Sequence, residues 1–255
     1  MEIRTVEVTR YVTPLREGGS MPAIVEADDH GLYVLKFRGS GQGHKALIAE
    51  LVAGEIARAL GLDVPEIVFA KLDGEALART EGDPEIQALI RASAGLNLAL
   101  DYLPGSVTYD PIAWRPDAEL ASRIVWFDAY TFNVDRTAKN VNLLLWHRRL
   151  RLIDHGAALY FHHDWATAAD RASDPFERIQ SHVLLPLAGK LEAVDGELAA
   201  KLTPPVLRGI VDAIPESWLA DAGGVARRED YFNLLTARLA APRRFVQEAI
   251  RARTR

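Results

Sequence analysis

The chain has 255 residues, 49% of them hydrophobic and 25% charged, with no cysteine and a formal net charge of −5. That balance belongs to an ordinary globular protein long enough for one large core or two smaller ones. It excludes a disulfide framework and cysteine-ligated zinc, and an acidic chain lacks the basic surplus expected of a nucleic-acid or anionic-membrane partner. No apolar run approaches the ~18 residues of a membrane span. The N-terminal MEIRTVEVTRYV alternates polar residues where a signal peptide carries an unbroken apolar run, so the expectation is a cytoplasmic protein.

The β-branched alternation of residues 3–12 predicts a strand. Residues 15–37 read as strand, glycine turn, strand, acidic turn and strand, with Gly31 expected to supply a positive φ in the second turn. In LYVLKF the period of two sets Tyr33, Leu35 and Phe37 on one face and Lys36 with Leu32 and Val34 on the other. That is an unusual place for a lysine unless its ammonium snorkels outward. Residues 45–60 predict a helix ended by Gly61 as C-cap, with Glu50 in an apolar stripe of Leu47, Leu51, Gly54 and Ala57. A turn and one or two strands follow over residues 60–77, and GLNLALDYLPGS, residues 95–106, is extended and closes in a Pro-Gly turn.

Residues 116–134 predict a helix with Leu120, Ile124, Phe127 and Thr131 at helical spacing and Asp117 as N-cap. VNLLLW and LRLID, around the polar HRR at 147–149, predict a β-hairpin. Residues 182–202, 204–214, 228–239 and 242–252 all predict helix. The fold class is therefore α+β, with a small β-rich N-terminal lobe, residues 1–103, and a larger, mainly helical C-terminal lobe, residues 104–255.

Lys36, Glu50, Asp135, Asn140 and Asp154 are the candidates for chemistry. Singly each has an ordinary reading: a snorkelling lysine, a glutamate at a stripe's edge, Asp and Asn as turn and cap formers. Their order suggests more. Phosphoryl transfer needs a cation on the phosphates held by an acidic partner, a carboxylate that orients the attacking hydroxyl, and oxygen ligands for Mg²⁺. Here a strand lysine precedes a helix glutamate, and a loop aspartate precedes an asparagine. A second aspartate then closes a hairpin just before Gly156.

The ordered set resembles the protein-kinase-like superfamily, with its strand lysine, helix glutamate, Asp-x-x-x-x-Asn loop and Asp-x-Gly motif. KFRGSGQGHKALIAELVAGEIARALGLDVPE is similar to the strand-to-helix segment of the HipA-like kinases, and DRTAKNVNLLL to the loops of phosphatidylinositol kinases. The resemblance implies a two-lobed kinase fold that uses ATP and Mg²⁺. It implies that Lys36 contacts the nucleotide phosphates and pairs with Glu50, and that Asp135 orients or deprotonates the acceptor hydroxyl. Asn140 and Asp154 would ligate Mg²⁺, with Asn142 as a neighbour. The backbone of Asp101, Tyr102 and Leu103 would read the adenine, and Gly18, Gly19 and Ser20 would cover the phosphates. The implied acceptor is a protein serine or threonine hydroxyl. A small-molecule or lipid-headgroup hydroxyl, and a pseudokinase-like module acting through partner contacts, are the alternatives.

Four features depart from that pattern. No Gly-x-Gly-x-x-Gly precedes Lys36, and the glycine-rich GSGQG at 39–43 follows it, as a phosphate or substrate contact or a plain linker. The metal motif reads Asp-His-Gly. Asn133 and Val134 stand where His-Arg would precede the catalytic aspartate. A rival metal site built from His162 and His163 with His147 and His155 is disfavoured, because adjacent histidines point apart on a strand or a helix.

Overall fold

Five strands with alternating burial close on themselves: β1 (Thr5–Pro14), β2 (Ala23–Ala27), β3 (Leu32–Lys36), β4 (Ile67–Leu72) and β5 (Gly95–Asp101). The computed structural model describes residues 2–15, 21–41, 43–220 and 228–254. The strand order is β1-β2-β3-β5-β4, with β1 parallel to β4 and every other pair antiparallel. Closure leaves no open edge. The inward residues, among them Val6, Val25, Leu35, Val68 and Ala99, form a core of their own. In the β2–β3 turn the positive φ falls on His30, at 62°, and not on the expected Gly31. Glycine is needed there for close approach, because a Cβ on Gly31 would lie 2.8 Å from the Tyr33 ring.

Between β3 and β4 runs α1 (His44–Leu60), closed by Gly61 at φ 82° with Leu62 N–H donating to the Ala57 carbonyl at 2.9 Å. The expected single apolar stripe is instead a helix buried without a break from Leu47 to Ala57, as a helix enclosed on all sides must be. Between β4 and β5 lie α2 (Gly74–Ala78) and α3 (Pro84–Ala92), which the strand reading of this region did not include. Asp73 and Asp83 cap them through their carboxylates, and Pro84 occupies the first turn of α3.

After β6 (Val107–Thr108) comes α4 (Ala118–Tyr130), capped by Asp117, which accepts from the N–H groups of Glu119 and Leu120 at 2.9 and 2.8 Å. β7 (Leu143–Trp146) and β8 (Arg149–Leu152) pair as the predicted hairpin and, with β6, make a three-stranded sheet. His147 and Arg148 both take positive φ, the backbone that a two-residue hairpin turn demands. The remaining helices are α5 (Ala168–Arg171), α6 (Leu191–Lys201), α7 (Pro204–Asp212), α8 (Glu216–Ala220), α9 (Arg228–Arg238) and α10 (Arg244–Arg253). The helix expected from residue 182 begins only at Leu191. Upstream of it, short 3₁₀ turns run through Pro186, which has no N–H to continue an α-helix. α1 shares a second, larger core with α4 and the later helices, packing on α6, α7 and α8. Among the described residues no helix is long and apolar enough to cross a membrane.

Candidate active site

Lys36 is the last residue of β3, opposite Leu98 of β5, and it points at the seam between the barrel and α1. Its Nζ donates to Asp154 Oδ1 at 2.7 Å and lies 3.7 Å from Glu50 Oε2. Burial pushes the lysine pKa down, but the two carboxylates outweigh it and leave the group raised and charged. Glu50 has the mirror-image balance. Burial pushes its pKa up, while the Lys36 charge and the His155 hydrogen bond bring it down to about 2. His155 Nδ1 lies 3.2 Å from Glu50 Oε1. A carboxylate can only accept, so Nδ1 carries the proton. The ring is fully buried and meets Phe127 of α4 edge-on at 5.7 Å.

The catalytic-type loop leaves α4 through a buried polar network. Asn133 Nδ2 donates to Asp128 Oδ1 at 2.7 Å, and its own Oδ1 accepts the Asp135 N–H at 3.1 Å. Arg136, 1% exposed, donates through Nε to Asp128 Oδ2 at 2.6 Å and through Nη1 to the Asn142 carbonyl. His182 Nε2 meets the same Oδ2 at 2.9 Å. Burial alone would raise the Asp128 pKa, but Arg136 and His182 hold it well below the usual carboxylate range. These contacts supply the support that the absent His-Arg pair leaves open. Sequence reasoning missed Asp128, His182 and the structural role of Arg136, and it weighed His155 only as a metal ligand.

So held, Asp135 accepts from Asn140 Nδ2 at 2.8 Å and from Asn142 Nδ2 at 3.4 Å through one oxygen, Oδ2. Its pKa is raised, chiefly by burial and further by the nearby Asp154 charge, against the two amide donors. Asn142 and Asp154 both adopt left-handed backbone, at φ 45° and 53°, and Ile153 N–H donates to the Asn142 carbonyl at 3.2 Å. The hairpin thereby returns Asp154 to the loop. The structure gathers Lys36, Glu50, Asp135, Asn140 and Asp154 into one site.

A family profile of HipA-like kinases matches residues 6–243. The chain belongs to the HipA-like kinase family. No curated protein matches it. Among solved structures it is similar to the Helicobacter pylori proinflammatory kinase CtkA, with a TM-score of 0.58 and 13% identity, covering 96% of this chain and 99% of that one. It is also similar to a Golgi casein kinase with Mn/ADP bound, with a TM-score of 0.53 and 12% identity, over 98% of this chain and 73% of that one. A second structure of the Golgi casein kinase gives 0.52 and 11%, with the same coverage. These likenesses establish a protein-kinase-like fold. Family and fold together make the chain a kinase-type phosphotransferase.

In this HipA-like kinase the donor set suits a hard divalent cation. The Asp154 charge raises the Asp135 pKa, and a cation held by Asp154 and Asn140 would relieve that repulsion. Asn140 turns its Nδ2 to Asp135, so its amide oxygen would be the atom to ligate a cation. Among the described residues no three His, Cys, Asp or Glu side chains cluster for a metal, so the remaining ligands would be phosphate oxygens and water, as Mg²⁺ prefers. The histidine rival finds no support. His162 is buried with Nδ1 3.2 Å from the Tyr231 hydroxyl, His155 faces Glu50, and His147 sits in the hairpin turn.

Asp101 ends β5 beside β3, and Tyr102 and Leu103 follow it. Two of their N–H groups are already engaged, Asp101 with the Glu66 carbonyl and Tyr102 with that of Leu32, both at 2.9 Å. Among the described residues, Leu103 N–H donates to no backbone carbonyl. Gly18, Gly19 and Ser20 lie outside the described residues. Flanking them, Leu15 N–H donates to the Pro22 carbonyl at 2.7 Å. Of the 39–43 loop, Gln42 lies outside the described residues, and Gly39 donates to Ser93 Oγ at 3.1 Å. A Cβ on Gly39 would come within 2.8 Å of that oxygen, so this glycine serves close packing on the end of α3.

Proposed function

We propose that this HipA-like kinase transfers the terminal phosphoryl group of ATP, with Mg²⁺, to a serine or threonine hydroxyl of a protein. The observation that carries the reading is the bridge made by Lys36 between Asp154 and Glu50, set against Asp135 and its asparagines. Lys36 holds the nucleotide phosphates while Glu50 keeps its ammonium charged and aimed. Asp135 orients the acceptor hydroxyl and takes its proton as the bond to phosphorus forms. Asp154 and Asn140 hold Mg²⁺, which when bound neutralises phosphate charge and fixes the phosphates for in-line transfer. The backbone at Asp101, Tyr102 and Leu103 reads the adenine, and Gly18, Gly19 and Ser20 cover the phosphates. Residues 1–103 thus form the nucleotide-holding lobe and residues 104–255 the lobe bearing the catalytic loop and metal motif. The likeness to a structure named as a casein kinase supports a protein acceptor, and the Mn/ADP in that structure supports nucleotide with a divalent metal.

The test is mass-spectrometric detection of phosphopeptides after incubation with Mg-ATP and a lysate. Asp135→Ala is expected to lower transfer by about 10²–10⁴-fold while Mg-ATP still binds. Asp154→Asn is expected to lose both. Unchanged turnover in both variants would overturn the assignment. Labelling of lipids or small molecules in place of protein would move the acceptor. Nucleotide binding without transfer would mark a binding module.

A further inference from the structure

His155, the middle residue of the Asp-His-Gly motif, has no role in the scheme above, yet it is fully buried against α1 and α4. Its Nε2 has no hydrogen-bond partner among the described residues, so its one polar tie is from Nδ1 to Glu50 Oε1 at 3.2 Å. Glu50 is 1% exposed, and its other oxygen, Oε2, makes no hydrogen bond and faces only the Lys36 ammonium at 3.7 Å. The two oxygens are therefore shared out, one to the histidine and one to the lysine. Asp154 and His155 are consecutive, so Asp154, Lys36, Glu50 and His155 close a ring through a single peptide bond.

In that ring the carboxylate cannot swing wholly toward Lys36 without giving up the Nδ1 proton. A buried acceptor left unsatisfied is costly, so loss of the donor must turn Glu50 or move Lys36 relative to Asp154. We infer that His155 is a positioning residue that fixes the Glu50 carboxylate by one hydrogen bond and so sets where Lys36 meets the nucleotide phosphates. The inference rests on the reading of Lys36 as the phosphate cation. A phenylalanine here would fill the same space beside Phe127 but has no proton to give. The metal motif of this chain thereby reaches α1 through a hydrogen bond.

The test compares His155→Phe, which keeps volume, with His155→Asn, whose amide nitrogen stands near the place of Nδ1, and His155→Gln, which sets its donor near the place of Nε2. Full-length variants are assayed for Mg-ATP Kd, KM and kcat, with melting temperature as the fold control. His155→Phe and His155→Gln are expected to raise Kd and KM for Mg-ATP and lower kcat/KM about tenfold or more, and His155→Asn to restore most of it. In a Glu50→Gln background, His155→Phe is expected to add little, because both changes break one interaction. The inference is overturned by unchanged Mg-ATP affinity in His155→Phe and His155→Gln, or by losses that multiply in the double variant. If His155→Phe does not fold, the Asn–Gln comparison decides by the same criterion. Lys36→Met separates the two levels. Full activity in that variant removes the reading of Lys36, whereas its inactivity beside normal His155 variants removes only the inference.

Discussion

Asp128 is a buried carboxylate that serves Arg136, His182 and Asn133 at once. Its pKa sits well below the ordinary value of 3.8, so the stability it contributes is complete above 3.8 and is lost progressively as pH falls from there toward the lower folded-state pKa. Asp128→Asn should therefore cost about 3 kcal/mol at neutral pH, by stranding Arg136, and flatten the acid limb of the stability curve. Urea unfolding at pH 7 and pH 3 checks both parts. The five candidates could be picked out of the sequence because their order resembles that of kinase site residues, and the structure brings them together. Asp128 was not, since on the helix wheel it is one polar position among Val125, Trp126 and Phe127. Its partner His182 is 54 residues away, in a segment read as helix. His155 was hidden likewise: nothing in Asp-His-Gly says that the ring turns inward to a helix about a hundred residues upstream.

α1 carries Glu50 on a face where Gly54, four residues later, lies close against β4. A Cβ on Gly54 would lie 2.4 Å from Ile67 Cδ1 of β4 and 3.9 Å from His155 Nδ1. Gly54→Val should push the helix off the barrel, costing about 1–3 kcal/mol by overpacking and raising the Mg-ATP KM as Glu50 withdraws from Lys36. A melting curve and a KM measurement check it, and a variant with wild-type values in both would show that α1 does not rely on this contact. Periodicity made the barrel strands, α1, α4 and the hairpin readable in advance. α2 and α3 were missed although Asp73 and Asp83 announce them as caps, because their brief apolar pattern continued that of β4. Over residues 182–190 leucines recur as in a helix, but the missing N–H of Pro186 decided the backbone.

Across the whole molecule the barrel and the helices have separate cores, and the Lys36–Glu50 contact spans the seam between them. A nucleotide bound there would touch both and favour the folded state by mass action. At a hundred times its Kd, Mg-ATP should add about 2.7 kcal/mol, which a thermal-shift titration reads as a rise of roughly 5–10 °C. Asp154→Asn should abolish that rise.

The order of the chain and the order of the packing disagree at α1. It is encoded within residues 1–103, but from Leu47 to Ala57 it packs into the larger core with the later helices, and Lys201 of α6 donates to its last carbonyl, Leu60, at 3.1 Å. Cutting between residues 103 and 104 would leave one fragment with a naked apolar rod and the other with the matching groove. Each fragment made alone should be insoluble. Made together they should reassemble and regain nucleotide binding, with α1 as the plug that joins them.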